Sequence, residues 1–169
     1  MKLSEFNRLD DDQARAVFNQ CCGASRWVRL MVAAKPFPSK IAMQDAAAWL
    51  WKSMQAADYL EAFDGHPKIG DADLLKKKYR RTRAMLTREQ SGVAQASDQV
   101  LRELAQYNHD YETKFGYIFI VCATGKTAAE MLQLIKTRIS HQPDREITIA
   151  AAEQAKIMAL RLDQLIEAE

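Results

Sequence analysis

Glycine and proline are scarce in this chain, 6 and 4 among 169 residues, about half their usual share. Few breaks and long helices follow, because these two residues punctuate regular structure. Cysteine is sparse too. Cys21, Cys22 and Cys122 form an odd set without a CxxC pair, and sequence neighbours seldom bridge each other, so a reducing compartment is expected. The histidines His66, His109 and His141 are widely spaced and fit neither HExxH nor CxxC patterns, so no metal is expected. No apolar run, residues 117–123 included, approaches the roughly 20 residues that cross a bilayer. The first five residues lack the apolar stretch of a secretory signal, and the final Ile166-Glu167-Ala168-Glu169 is no peroxisomal address. These features predict a cytoplasmic protein with no membrane partner. An excess of one charge is also missing: 24 Lys and Arg stand against 22 Asp and Glu, a net +2, which gives no global field for nucleic acid.

What is present reads as one globular domain over residues 1–169, with 48% apolar and 27% charged residues. Asp10 with Gln13 forms a capping box for a helix over 11–21 carrying Ala14, Val17, Phe18 and Cys21 at helical spacing, and Gly23 ends it. A short apolar segment over 27–32 leads to the break Lys35-Pro36-Phe37-Pro38, after which Ser39 caps a helix reaching about residue 54. Residues 56–63 are helical up to Asp64-Gly65-His66-Pro67, a polar helix covers 73–84, and another covers 88–96. Ser97 caps a helix to about residue 114, striped by Val100, Leu101, Leu104, Tyr107 and Tyr111, with Gly116 at its end. Residues 117–122 are β-branched and aromatic but lack an evident strand partner, so a buried extended or helical segment is expected. Thr127 with Glu130 makes a second capping box ahead of Met131, Leu132, Ile135 and Ile139. The last helix covers 144–166, with Ala151, Ala155, Met158, Leu162 and Leu165 on one face. The sum is an all-α, single-domain bundle of roughly eight helices.

Several segments have chemical potential beside a plain structural reading. Thr124-Gly125-Lys126-Thr127 ends like a phosphate loop, but GxxxxGK[ST] requires glycine where Ile120 stands, so capping by Thr127 explains it. Lys76, Lys77, Lys78, Arg80, Arg81 and Arg83 place six cations within eight residues. At 100° per residue they wrap most of a helix, which suits solvation better than a phosphate-gripping face. Asp64-Gly65-His66-Pro67-Lys68-Ile69-Gly70 holds an imidazole in a constrained turn, either as a structural group or as one poised for proton transfer at neutral pH. Thr87-Arg88-Glu89-Gln90-Ser91-Gly92 gathers an acid, an amide and hydroxyls, suited either to a polar heterocycle or to a capped helix start. From these residues alone, a helical binding module using the basic segment from Lys76 to Arg83 stands as the alternative to an enzyme.

Taken together, His66-Pro67-Lys68-Ile69-Gly70, Glu89-Gln90, Asn108, Tyr111 and Lys114-Phe115-Gly116 resemble the OHCU decarboxylase family. The resemblance extends over nearly the whole chain through Gly23 with Trp27, Pro36-Phe37, Arg138, Glu153, Lys156-Ile157, Arg161-Leu162 and Leu165. It implies a helical, homodimeric lyase without cofactor that converts 2-oxo-4-hydroxy-4-carboxy-5-ureidoimidazoline to (S)-allantoin and CO2 in urate breakdown. It further implies that His66 and Glu89 are catalytic and that Pro67, Gln90, Arg138 and Thr87 bind substrate. Two positions depart from the family pattern. Leu86 stands where a serine is common, with Thr87 next to it, and Arg26 precedes Trp27 where many members carry proline. A related lyase or hydrolase acting on another ureide shares the same scaffold logic, since function belongs to the site.

Overall fold

A computed structural model describes residues 1–66 and 93–167, the side chains of residues 93–98 excepted. Among the described residues there are eight helices and no strand. They are α1 (Leu3–Phe6), α2 (Asp11–Cys21), α3 (Ser25–Ala33), α4 (Lys40–Lys52), α5 (Ala56–Asp64), α6 (Val93–Phe115), α7 (Ala128–Arg138) and α8 (Pro143–Leu165). The chain divides into two compact units. One gathers Met1–His66, Ile120–Cys122 and the chain from Ile147 onward; the other gathers Pro67–Phe119 and Ala123–Glu146.

Local chemistry sets where the helices begin. The amide of Gln13 donates to Asp10 Oδ1 at 2.8 Å while the Asp10 amide donates back to Gln13 Oε1 at 3.2 Å, so two otherwise orphaned donors at the start of α2 are satisfied at once. Thr127 and Glu130 repeat the arrangement at α7, with amide bonds of 3.2 and 2.7 Å. Ser39 Oγ accepts from the Ala42 amide at 3.0 Å and starts α4. The helix α3, expected only as an apolar segment, has Ala24 at its N-cap and no capping side chain of its own. Glu61 of α5 supplies the missing acceptor: its carboxylate takes the Ser25 amide at 2.9 Å and the Ser25 hydroxyl as well, an anion where a helix start attracts one.

In the first unit, Phe6, Phe18 and Trp27 are completely buried. Phe6 and Phe18 meet edge-on at 5.0 Å, and Phe18 and Trp27 do so at 5.7 Å, an arrangement that suits the ring quadrupoles. Buried indole N–H groups need acceptors. Trp27 donates to the Ala47 carbonyl at 3.1 Å and Trp51 to the Ala151 carbonyl at 2.9 Å, which ties α4 to α3 and α8. Trp49, by contrast, is 70% exposed. The buried positions of α8 in this unit are Ala150, Ala151, Gln154, Met158 and Leu162, followed by Ile166. The stripe therefore runs through Gln154 and Ile166, not through Ala155 and Leu165, which are only partly covered.

In the second unit α6 packs along α7. Leu101, Leu104 and Tyr111 are buried on α6, as are Met131, Leu132 and Ile135 on α7, while Val100, Tyr107 and Ile139, expected on the same faces, are only partly covered. Ser97 does not cap a helix, because the backbone is already helical from Val93 and runs unbroken to Phe115. The polar helix expected over 73–84 and the first part of that expected over 88–96 lie outside the described residues. Gly116 ends α6 at φ +78°, and Gly125 takes φ +75° before α7, conformations that a side chain would strain. Residues 118–123 between them have neither helix nor strand, so the helical alternative for that segment does not hold.

Candidate active site

His66 follows the end of α5. Its amide donates to the Phe63 carbonyl at 3.1 Å, continuing the turn by which Gly65 leaves the helix. A Cβ on Gly65 would lie 3.7 Å from the Cα of Gly23, and one on Gly23 would lie 3.6 Å from the Glu61 carbonyl. The end of α2 and the end of α5 thus lie in ordinary van der Waals contact just ahead of the imidazole. His66 is partly buried, and its Nε2 lies 2.5 Å from Oε1 of Gln154 on α8. Burial pushes the His66 pKa below its ordinary value; the Gln154 hydrogen bond pulls it back up, and the Arg161 guanidinium, also on α8, presses it down. Loss of hydration is the leading cause. Arg161 itself donates to the carbonyls of Gln20 and Cys21 at 3.3 and 3.2 Å, satisfying the end of α2.

Gln154 was not identifiable as a site residue from chemistry alone, but it was findable from position. It falls three residues after Ala151 and four before Met158, a core register in which an amide is out of place. It is completely buried, and its Nε2 has no hydrogen-bond partner among the described residues. An unmade hydrogen bond of this kind costs about 1–3 kcal/mol.

Arg138 closes α7 in the second unit and is 5% exposed. Its Nε donates to Glu146 Oε1 at 2.7 Å, and its Nη2 lies 2.6 Å from the same oxygen. Glu146, fully buried at the start of α8, also accepts from the Tyr111 hydroxyl at 2.5 Å and pairs with His141 Nδ1 at 2.8 Å. The guanidinium carbon stands 4.6 Å from the Phe119 ring centroid, a favourable cation–π distance. Burial and the bond to Glu146 raise the Tyr111 pKa far above its ordinary value, so the phenol stays protonated as a donor. The sequence shows Tyr111 and Arg138 but not their common acceptor, because Glu146 sits among other charges in Asp144-Arg145-Glu146 and looks like a first-turn acid. Lys114 donates to the Ile139 and His141 carbonyls at 2.6 and 3.0 Å, which ties the end of α6 to the turn that follows α7.

Of the candidate residues, His66 and Arg138 are described, each within its own unit; Pro67, Thr87, Glu89 and Gln90 lie outside the described residues, as do the cations from Lys76 to Arg83. Among the described residues no group of three or more His, Cys, Asp or Glu is arranged to hold a metal ion. No helix among them is long and apolar enough to cross a membrane.

Comparison with known proteins decides the family. The OHCU decarboxylase profile matches residues 7–163. The chain belongs to the OHCU decarboxylase family. It is 38% identical over 145 residues to the uric acid degradation bifunctional protein TTL of Arabidopsis thaliana, covering 86% of this chain and 45% of that protein. It is 22% identical over 165 residues to the uric acid degradation bifunctional protein PucL of Bacillus subtilis, covering 97% of this chain and 32% of that one. The chain therefore spans less than half the length of these two bifunctional relatives. Among solved structures, a crystal structure of OHCU decarboxylase in the presence of (S)-allantoin matches with a TM-score of 0.70 and 35% identity, covering 93% of this chain and 98% of that one. For this family member, the match includes His66 and Arg138 within the profile's span.

Proposed function

We propose that this chain decarboxylates 2-oxo-4-hydroxy-4-carboxy-5-ureidoimidazoline to (S)-allantoin, as one catalytic domain acting without a cofactor, in a cytoplasmic homodimer. The observation that carries the reading is an imidazole kept partly buried and tethered through one nitrogen, at the histidine position of the family's HPKIG segment. The OHCU decarboxylase match and the 35%-identical relative studied with (S)-allantoin support it.

The chemistry asks for little beyond placement. The carbon that loses CO2 bears a hydroxyl and adjoins the ureido-bearing C5, whose C=N bond takes up the electron pair left behind, in conjugation with the 2-oxo group; a proton added at C5 then completes the product. No external electron sink is needed. The protein has to hold the carboxylate out of the ring plane, stabilise the enolate-like charge and deliver a proton to one face. In this reading His66 exchanges a proton with the hydroxyl or the intermediate, and Glu89 orients the substrate and sets the protonation around it. Gln90 hydrogen-bonds the ureido or ring amide, while Pro67 and Thr87 contact the ligand. Arg138, always charged and fork-shaped, binds carboxylate or carbonyl oxygen.

The test generates the unstable substrate from urate with the upstream enzymes and follows the circular dichroism of the allantoin formed, with and without this protein. Acceleration with one enantiomer in excess is expected; a rate and racemic product equal to the spontaneous background would refute the reading. His66→Asn is expected to lower kcat by about 10²–10⁴-fold. A neutral imidazole accepts the proton, and burial depresses its pKa. Activity should therefore persist as pH falls to about 6.5, the ordinary histidine value, and decline only below it. An acid limb centred above that value would count against His66 as the titrating base.

A further inference from the structure

We infer that Gln154 is the positioning residue that makes Nδ1 of His66 the proton-accepting atom, by holding the Nε2 proton on its side-chain carbonyl. The inference rests on the catalytic role proposed for His66. A neutral imidazole carries one proton and one lone pair, and the partner of one nitrogen decides which atom has which. Among the described residues the ring's one hydrogen-bond partner is Gln154 Oε1, 2.5 Å from Nε2. An amide oxygen only accepts. Nε2 is therefore the N–H nitrogen, and the lone pair falls on Nδ1, which makes no hydrogen bond with a described residue.

Packing alone does not account for Gln154. Its neighbours in the same stripe, Ala151, Met158 and Leu162, are apolar and buried, and a leucine would fill that register without a buried amide Nε2 that has no hydrogen-bond partner among the described residues. What glutamine adds is one acceptor, and that acceptor is spent on the imidazole. The helix that carries it is itself fixed nearby: Trp51 donates to the Ala151 carbonyl one turn earlier, and Arg161 grips the end of α2 two turns later. The acceptor is therefore presented from a rigid support, the same logic by which an orienting group sets the tautomer of a catalytic histidine in hydrolytic triads.

Nitrogen-15 NMR of the full chain labelled in histidine, at a pH where His66 is neutral, reads the tautomer directly. The wild-type protein should show Nε2 protonated and Nδ1 bare. Gln154→Leu should move His66 toward a mixture of tautomers and lower kcat about tenfold or more with KM within about threefold. Gln154→Glu, which keeps an acceptor at the same reach, should retain the Nε2–H form. It should also move the acid limb of the rate profile upward, since a carboxylate then faces the ring alongside Arg161, the charged group that acts on it from α8. A protonated Nδ1 in the wild type overturns the inference, as does a Gln154→Leu protein with unchanged tautomer and kcat. The spectrum needs no variant and no turnover. Absence of decarboxylation would overturn the functional reading while the tautomer still decides the Gln154 contact, and turnover with Nδ1 protonated would overturn this inference alone.

Discussion

Replacing Glu146 by glutamine tests the energetics of the buried cluster at the α7–α8 junction. The carboxylate has no solvent exposure and takes Arg138 at 2.6 and 2.7 Å, the Tyr111 hydroxyl at 2.5 Å and His141 Nδ1 at 2.8 Å. Three of these four contacts converge on Oε1, so glutamine turns its carbonyl to Arg138 and Tyr111 and its amide to His141. Shape and most hydrogen bonds survive; the negative charge does not. A buried guanidinium then loses the carboxylate facing it, which costs about 3–5 kcal/mol. For a chain of 150–250 residues each kcal/mol moves the midpoint by about 2–4 °C, so Tm should fall by roughly 6–20 °C. Thermal unfolding followed by circular dichroism measures it, and a denaturant titration gives the free energy independently. The decisive comparison is the double variant Arg138→Met with Glu146→Gln. Removing both charges removes the mismatch, so the double variant should be more stable than Glu146→Gln alone. A Glu146→Gln midpoint within about 2 °C of the wild type, or strictly additive losses in the double variant, would refute the reasoning.

Two further outcomes follow from local geometry. Thr127→Ala deletes the hydroxyl that accepts the Glu130 amide and should cost about 1 kcal/mol in a denaturant titration, with Thr127→Ser close to wild type; equal losses for both would show that the capping oxygen is not what matters. Burial pushes the Cys21 and Cys22 thiols up to about 11, leaving about a thousandth as thiolate at pH 8, so a thiol reagent should leave both unlabelled in the native protein and modify both on unfolding. Rapid native labelling of either would contradict the burial.

How much of this was legible beforehand depended on whether the signal was local. Capping boxes are, and Asp10 with Gln13 and Thr127 with Glu130 start helices where their spacing predicts. The α8 boundaries, Pro143–Leu165 against the expected 144–166, follow equally from periodicity. The all-α class followed from the scarcity of breakers. Ser97 misled because a capping residue type is also tolerated inside a helix, and here the helical backbone already begins at Val93. The apolar segment over 27–32 gave no cap to read, since the acceptor that starts α3 comes from Glu61. At the site, the HPKIG and EQ segments pointed to a family because order and spacing accumulate information that single residues lack. The register of Gln154 marked it as out of place, but its role, like that of Glu146, stayed hidden for one shared reason. Each is a polar residue whose meaning lies in a partner 88 or 35 positions away, and pattern within a helix cannot name such partners.

The Glu61 carboxylate at the head of α3 makes the beginning of that helix a long-range feature. Residues 25–33 amount to two and a half turns, too short to persist in water unaided, and the acceptor for the Ser25 amide and hydroxyl lies 36 residues further along the chain. The first turn of α3 is thus governed by a side chain of α5 and not by its own sequence.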